Sequence, residues 1–350
     1  MEKKELNRKL HVGFWRKHLA ELPEQYAPQE SNRLTLLYFV ICALDLLDSL
    51  PVDEERKKII DWVYAQQILP PEGNREDDKE NLWTHCGFRG SPFYGHPYAD
   101  GGSIAGTHDH NHIAMVYTAL AILRVLGDDF GRLNKQAILD GLKFLRNDDG
   151  SFRPHPFHCE ADMRYVYCAA AISYFLCDWS AMDVPKTTEY IFKSRSYEDI
   201  FSQGPGEEGH GGSTYCALAT LALTGQIDKI PEKDNTVRWL LERQSLGFQG
   251  RPNKDPDTCY SFWVGGSLSM LGSFSLVDAE LLRAFIYQCE YKYGGFAKCP
   301  NHPPDVLHAY YSLCGLSACG EDDLPPVFFP LGISQRAADT LPPCPPAPTQ

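Results

Sequence analysis

No CxxC pair occurs among the 12 cysteines, and their spacing suggests no secreted disulfide framework, which points to a reducing compartment. Most of them, including Cys42, Cys168, Cys177 and Cys314, lie in apolar stretches, where a free thiol behaves as a small hydrophobe. Positive charge is also short. Against 46 Asp and Glu stand 33 Lys and Arg, and a net charge of -13 lacks the basic surplus that holds a phosphate backbone. No nucleic-acid partner is expected, and basic partners are favoured. An uninterrupted apolar span is missing as well: the most apolar run, Leu34 to Leu50, contains Cys42, Asp45, Asp48 and Ser49, so it reads as a buried core helix and not as a membrane span. The N-terminal MEKKELNRKL is charged where a signal peptide is apolar, so a cytoplasmic protein is expected. Alternating β-branched runs are few, which leaves helices to build the fold.

What the sequence has is repetition. The segments HIAMVYTALAIL, DMRYVYCAAAIS, GGSTYCALATLAL, CYSFWVGGSLSML and VLHAYYSLCGLSA each set an aromatic beside small and apolar residues. Aligning Tyr117, Tyr167, Tyr215, Trp263 and Tyr311 gives steps of 50, 48, 48 and 48 residues. Each segment is apolar nearly all round and so reads as a helix buried on most sides. Between them, RKKIIDWVYAQQIL, NKQAILDGLKFLRN, NTVRWLLERQ and AELLRAFIYQ place apolar residues at three- and four-residue spacing, the pattern of outer, solvent-facing helices. Aromatic-glycine turns, at Gly87-Phe88, Gly150-Ser151-Phe152, Gly247-Phe248 and Gly295-Phe296, connect outer to inner helices. The expected architecture is all-α: an α/α toroid, or α-α barrel, of repeated helical hairpins around a central cavity. A single domain is expected over residues 1–335, followed by a Pro-rich, disordered tail over 336–350, of which LPPCPPAPTQ cannot form a regular helix. Residues 70–84 read as a loop inserted in the first repeat.

Two constellations carry chemistry. Asp257, Thr258 and Cys259 open one inner helix and His308 lies in the next. Asp, Cys and His are three plausible zinc ligands with a fourth position open, the arrangement of a catalytic zinc. Singly, each has an ordinary reading: a core cysteine, a capping aspartate, a hydrogen-bonded histidine. Position favours the metal, because equivalent starts of adjacent inner helices converge on one end of a toroid. The second set, His210, Arg251, Lys254 and Tyr260, suits a departing diphosphate, which needs charge neutralisation and hydrogen-bond donors. Solvated loop charge is the plain alternative. The run His108-Asp109-His110-Asn111-His112 looks like a metal site but reads as a loop, with His112 the first residue of an inner helix.

Taken in order, SNRLTLLYF, HIAMVYTAL, GDDFGRLNK, DMRYVYCAA, EGHGGSTYC, GRPNKDPDTCYSFWVG and GGFAKCPNHPPDVLHAYY resemble the β subunits of protein geranylgeranyltransferase type I, over roughly residues 10–335. The resemblance implies one zinc on Asp257, Cys259 and His308, and diphosphate contacts from His210, Arg251, Lys254 and Tyr260. It also implies an isoprenoid pocket bordered by Arg164 and Tyr167, and an acceptor tail lined by Ser31, His112, Tyr165 and Leu307. It implies a heterodimer with a separate α subunit, geranylgeranyl diphosphate as lipid donor, and transfer to the cysteine of C-terminal CaaX motifs, X mostly Leu or Phe, on proteins such as small GTPases.

Within that family the nearest alternative is the farnesyltransferase β subunit. Thr35, with Phe39 one turn on, stands where that relative has a bulky Trp, and Leu307 stands where it has Tyr. Lys298 aligns with the relative's magnesium-holding Asp, so no magnesium requirement is expected. Terpene cyclases share the toroid, but their DxDD and DDxxD signatures do not occur here. A non-catalytic thioester toroid is echoed only faintly by Cys319-Gly320-Glu321.

Overall fold

The computed structural model describes residues 4–73, 82–92, 98–106, 109–157, 159–321 and 324–348. Chain order alternates outer and inner helices: α1 (Arg8–Ala20), α2 (Arg33–Leu46), α3 (Asp53–Ala65), α4 (Ile113–Val125), α5 (Lys135–Leu145), α6 (Met163–Leu176), α7 (Val184–Lys193), α8 (Gly211–Leu223), α9 (Lys233–Leu241), α10 (Tyr260–Met270), α11 (Ala279–Gln288) and α12 (Val306–Ala318). The odd-numbered helices form the outer layer and the even-numbered ones the inner. Each inner helix packs on the next, and α12 packs back on α2, which closes the toroid. Strands among the described residues are only two or three residues long.

Burial follows the sequence pattern. In α8 only Gly212 and Ala222 escape full burial, whereas α5 buries Ala137, Ile138, Leu139, Leu142 and Leu145 and exposes Lys135, Gln136, Lys143 and Phe144. Turns recur after the outer helices. Single bridges pair Arg146 with Phe152, Arg195 with Phe201, Gln244 with Phe248 and Glu290 with Phe296, and these four phenylalanines are fully buried. Gly150 and Gly294 take positive φ in their turns, as glycine does freely. In the Phe201 turn the matching position is Asp199, at φ 64, held by a hydrogen bond from Asn235 and an ion pair with Arg195. The connection from α3 to α4 carries a small sheet of Gln67–Leu69, Gly87–Phe88 and Ser103–Ile104. Within the expected insertion, residues 74–81 lie outside the described residues.

Ring closure has a polar clasp. Gly295 N–H donates to His11 Nδ1 at 3.1 Å, so the neutral ring carries its proton on Nε2, which meets Glu290 at 2.9 Å. The His11 ring stacks on Phe296 with centroids 4.7 Å apart.

Aromatic side chains line the inner wall. Neighbouring ring centroids lie 5.7 Å apart for Tyr38–Tyr117, 5.4 Å for Tyr117–Tyr167, 5.6 Å for Tyr167–Tyr215, 4.7 Å for Tyr215–Phe262, 4.4 Å for Phe262–Tyr311 and 5.5 Å for Tyr311–Phe39. With Tyr38 and Phe39 5.3 Å apart on α2, the belt closes. After α12 a strap returns through one end of the barrel. The hydroxyls of Tyr38 and Tyr310 donate to Gly332 O, Tyr117 to Leu331 O at 2.9 Å and Tyr215 to Phe329 O at 2.6 Å. Beyond it, Arg336 pairs with Asp45 near the end of α2 and bonds Val125 O at the end of α4. The strap therefore occupies the end where the inner helices finish, and the opposite end, where they begin, holds the site. Residues 341–348 have no regular structure; Trp179 Nε1 donates to Pro345 O at 3.0 Å.

Candidate metal and diphosphate site

The starts of the inner helices carry the polar residues. His112, Asp162, His210 and Asp305 are the N-caps of α4, α6, α8 and α12, each accepting a backbone N–H with its side chain. Repetition thus delivers functional groups to one rim of the barrel.

The segment before α10 is pinned on both sides. Asp257 N–H donates to Phe248 O at 3.1 Å, and Thr258 N–H and Oγ1 reach Lys298 O and Ala297 O at 2.9 and 2.8 Å. Asp257, Cys259 and His308 each present one ligand atom, all within 4.8 Å of one another. His308 Nε2 lies 3.3 Å from Asp257 Oδ1, and Lys298 Nζ 3.6 Å from Asp257 Oδ2. Among the described residues this is the metal-competent cluster. A carboxylate, a thiol and an imidazole in this space fit a tetrahedral ion with bonds of about 2.0–2.3 Å and one position left open.

The charges agree with that fit. Burial draws the His308 pKa down, but its hydrogen bonds to Asp257 and Asp305 outweigh burial and lift it to about 9. Burial acts to raise Asp257, yet bonds from His308 and Cys259 hold it below the ordinary carboxylate value. Burial, with the Asp257 charge beside it, pushes the Cys259 thiol well up.

Next to it, Gly212 N–H donates to His210 Nδ1 at 2.9 Å, so neutral His210 carries its proton on Nε2 and donates it to Tyr260 OH at 3.0 Å. Burial and the Arg251 charge lower the His210 pKa, which keeps that tautomer. The Tyr260 proton is left to point outward. Gly250 makes room for the phenol, since a Cβ there would sit 2.1 Å from the ring. Arg251 bonds Glu208 at 2.5 Å, and Lys254 is exposed.

The remaining expected residues spread around the rim and wall. Ser31 is exposed, its carbonyl against Gly90; Thr35 Oγ1 is 3.6 Å from the Met115 sulfur, and Phe39 and Tyr167 belong to the belt. His112 and Tyr165 meet edge to face at 6.0 Å, and burial with His155, His110 and Arg164 nearby lowers His112 to about 4. Arg164 is exposed and turned back on Asp162 through both Nε and Nη2. Leu307, half-buried, adjoins His308 on α12. His110 packs near His155 at 5.3 Å, and His108 lies outside the described residues. Sequence reasoning assigned no role to Asp305, Asp162 or Glu208. For Asp305 the signals were its 48-residue step from Asp257 and its i,i+3 spacing to His308.

Residues 6–343 match the prenyltransferase alpha-alpha toroid domain. The chain is 41% identical over 343 residues to the geranylgeranyl transferase type-1 subunit beta of Dictyostelium discoideum, covering 95% of this chain and 96% of that one. The chain belongs to the geranylgeranyl transferase type-1 β-subunit family. The Arabidopsis thaliana member is 40% identical over 330 residues, covering 91% of this chain and 86% of the other. A solved protein geranylgeranyltransferase-I of Candida albicans, complexed with GGPP, shares the fold at a TM-score of 0.83, with 23% identity and coverage of 96% and 98% of the two chains. As a member of this prenyltransferase family the chain has the toroid that its repeats imply, and no helix among its described residues is long and apolar enough to cross a membrane.

Proposed function

We propose that this β subunit, paired with a prenyltransferase α subunit, transfers the geranylgeranyl group of geranylgeranyl diphosphate to the cysteine thiol of CaaX-ending proteins in the cytoplasm. The observation that carries the reading is the adjacency of two sets at one rim: the metal-competent trio Asp257, Cys259 and His308, and the anion-facing set His210, Tyr260 and Arg251. A zinc ion on the trio would supply the positive charge that keeps an acceptor thiol deprotonated near neutral pH.

The chain's own residues account for the rest. The belt offers the isoprenoid an apolar wall, closed below by the strap, which orients the chain and excludes water from the reacting end. The acceptor sulfur forms a bond to the first carbon of the lipid as the carbon–oxygen bond to diphosphate breaks. The leaving oxygens gain negative charge where Tyr260, Arg251 and Lys254 donate. Lys298, beside Asp257, adds an ammonium that makes a magnesium ion unnecessary. Thr35 leaves space at the wall for the longer lipid, and Ser31, His112, Tyr165 and Leu307 line the path of the acceptor tail, with Arg164 at its edge.

Zinc analysis of the heterodimer tests this reading. One zinc per heterodimer is expected, with none retained by Cys259→Ala, whose helix content should stay intact. Zinc retained by that variant, or helix content lost on chelation of the wild type, would contradict a catalytic ion held by this trio.

A further inference from the structure

Arg251 Nη1 lies 2.5 Å from Glu208 Oε2, and Glu208 is the only acceptor that its guanidinium meets among the described residues. Glu208 in turn bonds nothing else there. Arg164 and Lys298 also face carboxylates, but those have separate work: Asp162 caps α6, and Asp257 is a metal donor. Glu208 caps no helix and sits between two glycines, Gly206 and Gly209. Gly206 takes φ +84, and a Cβ on Gly209 would come within 2.5 Å of Ile200. Its side chain, 61% exposed, is free to swing. The adjacent Glu207 is directed elsewhere, with its carboxylate near Gly204 and its charge felt by Tyr190.

We propose that Glu208 is a built-in competitor for diphosphate at Arg251. This rests on the reading of Arg251 as a diphosphate ligand. In the empty pocket the carboxylate neutralises the guanidinium, and an incoming diphosphate has to displace it; when the diphosphate product departs, Glu208 takes its place. Of Glu208, Arg251, His210 and Tyr260, Glu208 alone is anionic, and its charge acts on His210 as well. A half-exposed pair of this kind is weak, so it tunes the affinity without blocking the site. That makes Glu208 a positioning residue that sets how tightly both substrate and product diphosphates are held.

The test is inhibition of the zinc-loaded heterodimer by inorganic diphosphate. Glu208→Gln should bind diphosphate about two- to fivefold more tightly than wild type. Glu207→Gln should leave the inhibition constant unchanged. Arg251→Gln should weaken inhibition, and adding Glu208→Gln to it should gain less than the same change gains in wild type. If Arg251→Gln leaves the constant unaltered, the reading of Arg251 as a ligand fails, and the competitor role falls with it. If Arg251→Gln weakens inhibition while Glu208→Gln leaves it unchanged or weakens it, Glu208 only props Arg251 in place and the competitor role alone is wrong.

Discussion

His308 Nδ1 lies 2.6 Å from Asp305 Oδ2 while the other carboxylate oxygen of Asp305 accepts the His308 backbone N–H at 3.0 Å. One aspartate therefore caps α12 and fixes the imidazole, holding its Nδ1 proton and turning Nε2 toward Asp257 and Cys259. Such an orienting carboxylate sharpens a histidine as a metal ligand.

Asp305→Asn separates the two duties, because the amide oxygen can still cap the helix but carries no charge. Zinc affinity should fall about 10- to 100-fold with helix content unchanged, as read by competition with a chromophoric chelator. An unchanged affinity would show that the carboxylate does not tune the ligand.

The same contacts set a pH dependence. In the metal-free protein His308 titrates at about 9, above its ordinary 6.5, so its protonated form stabilises the fold. That contribution is fully present below pH 6.5, is lost as pH rises through 9, and amounts to at most about 3 kcal/mol. The melting temperature of the metal-free heterodimer should drop more between pH 6.5 and 9 than that of the His308→Gln variant (the window set by the two pKa values). Parallel curves for the two proteins would refute the assignment.

The strap depends on buried hydroxyls. Tyr117 donates to Leu331 O and accepts from Tyr167 OH at 3.2 Å. Tyr117→Phe should destabilise the protein by about 1–3 kcal/mol, since a buried carbonyl loses its donor. Denaturant midpoints measure it, and a neutral effect would mean that the strap is held by packing alone.

Lipid length should respond to Thr35. With Thr35 Oγ1 only 3.6 Å from the Met115 sulfur, a Thr35→Trp ring would fill the wall there. The ratio of kcat/KM for geranylgeranyl over farnesyl diphosphate should fall about tenfold or more. A preserved ratio would place the length determinant elsewhere.

Much of this was legible in the sequence, for physical reasons. Tyr117, Tyr167, Tyr215 and Tyr311, aligned by the repeat step, are members of one closed belt, because equal steps put equivalent residues at equal heights in a toroid. Asp257, Cys259 and His308 meet because they open adjacent inner helices. The Phe201 turn was hidden because Asp199 stands in the left-handed position where the Phe152 and Phe296 turns have Gly150 and Gly294, so α7 lacked that punctuation. The strap was illegible: Phe329 to Gly332 offer backbone carbonyls to tyrosines of four different inner helices, three of them more than a hundred positions away, and a carbonyl has no sequence signature. Glu208 was overlooked, and Asp305 was linked to Asp257 only by the 48-residue step, because a carboxylate in a turn looks the same whether it meets water, a guanidinium or an imidazole.

The central claim is tested most directly by prenyl transfer from the zinc-loaded heterodimer, with magnesium chelated, to paired CaaX peptides ending in Leu or Ser, offered both lipid diphosphates. The account predicts transfer of the geranylgeranyl group to the Leu peptide without magnesium. Magnesium-dependent farnesylation of the Ser peptide would contradict it.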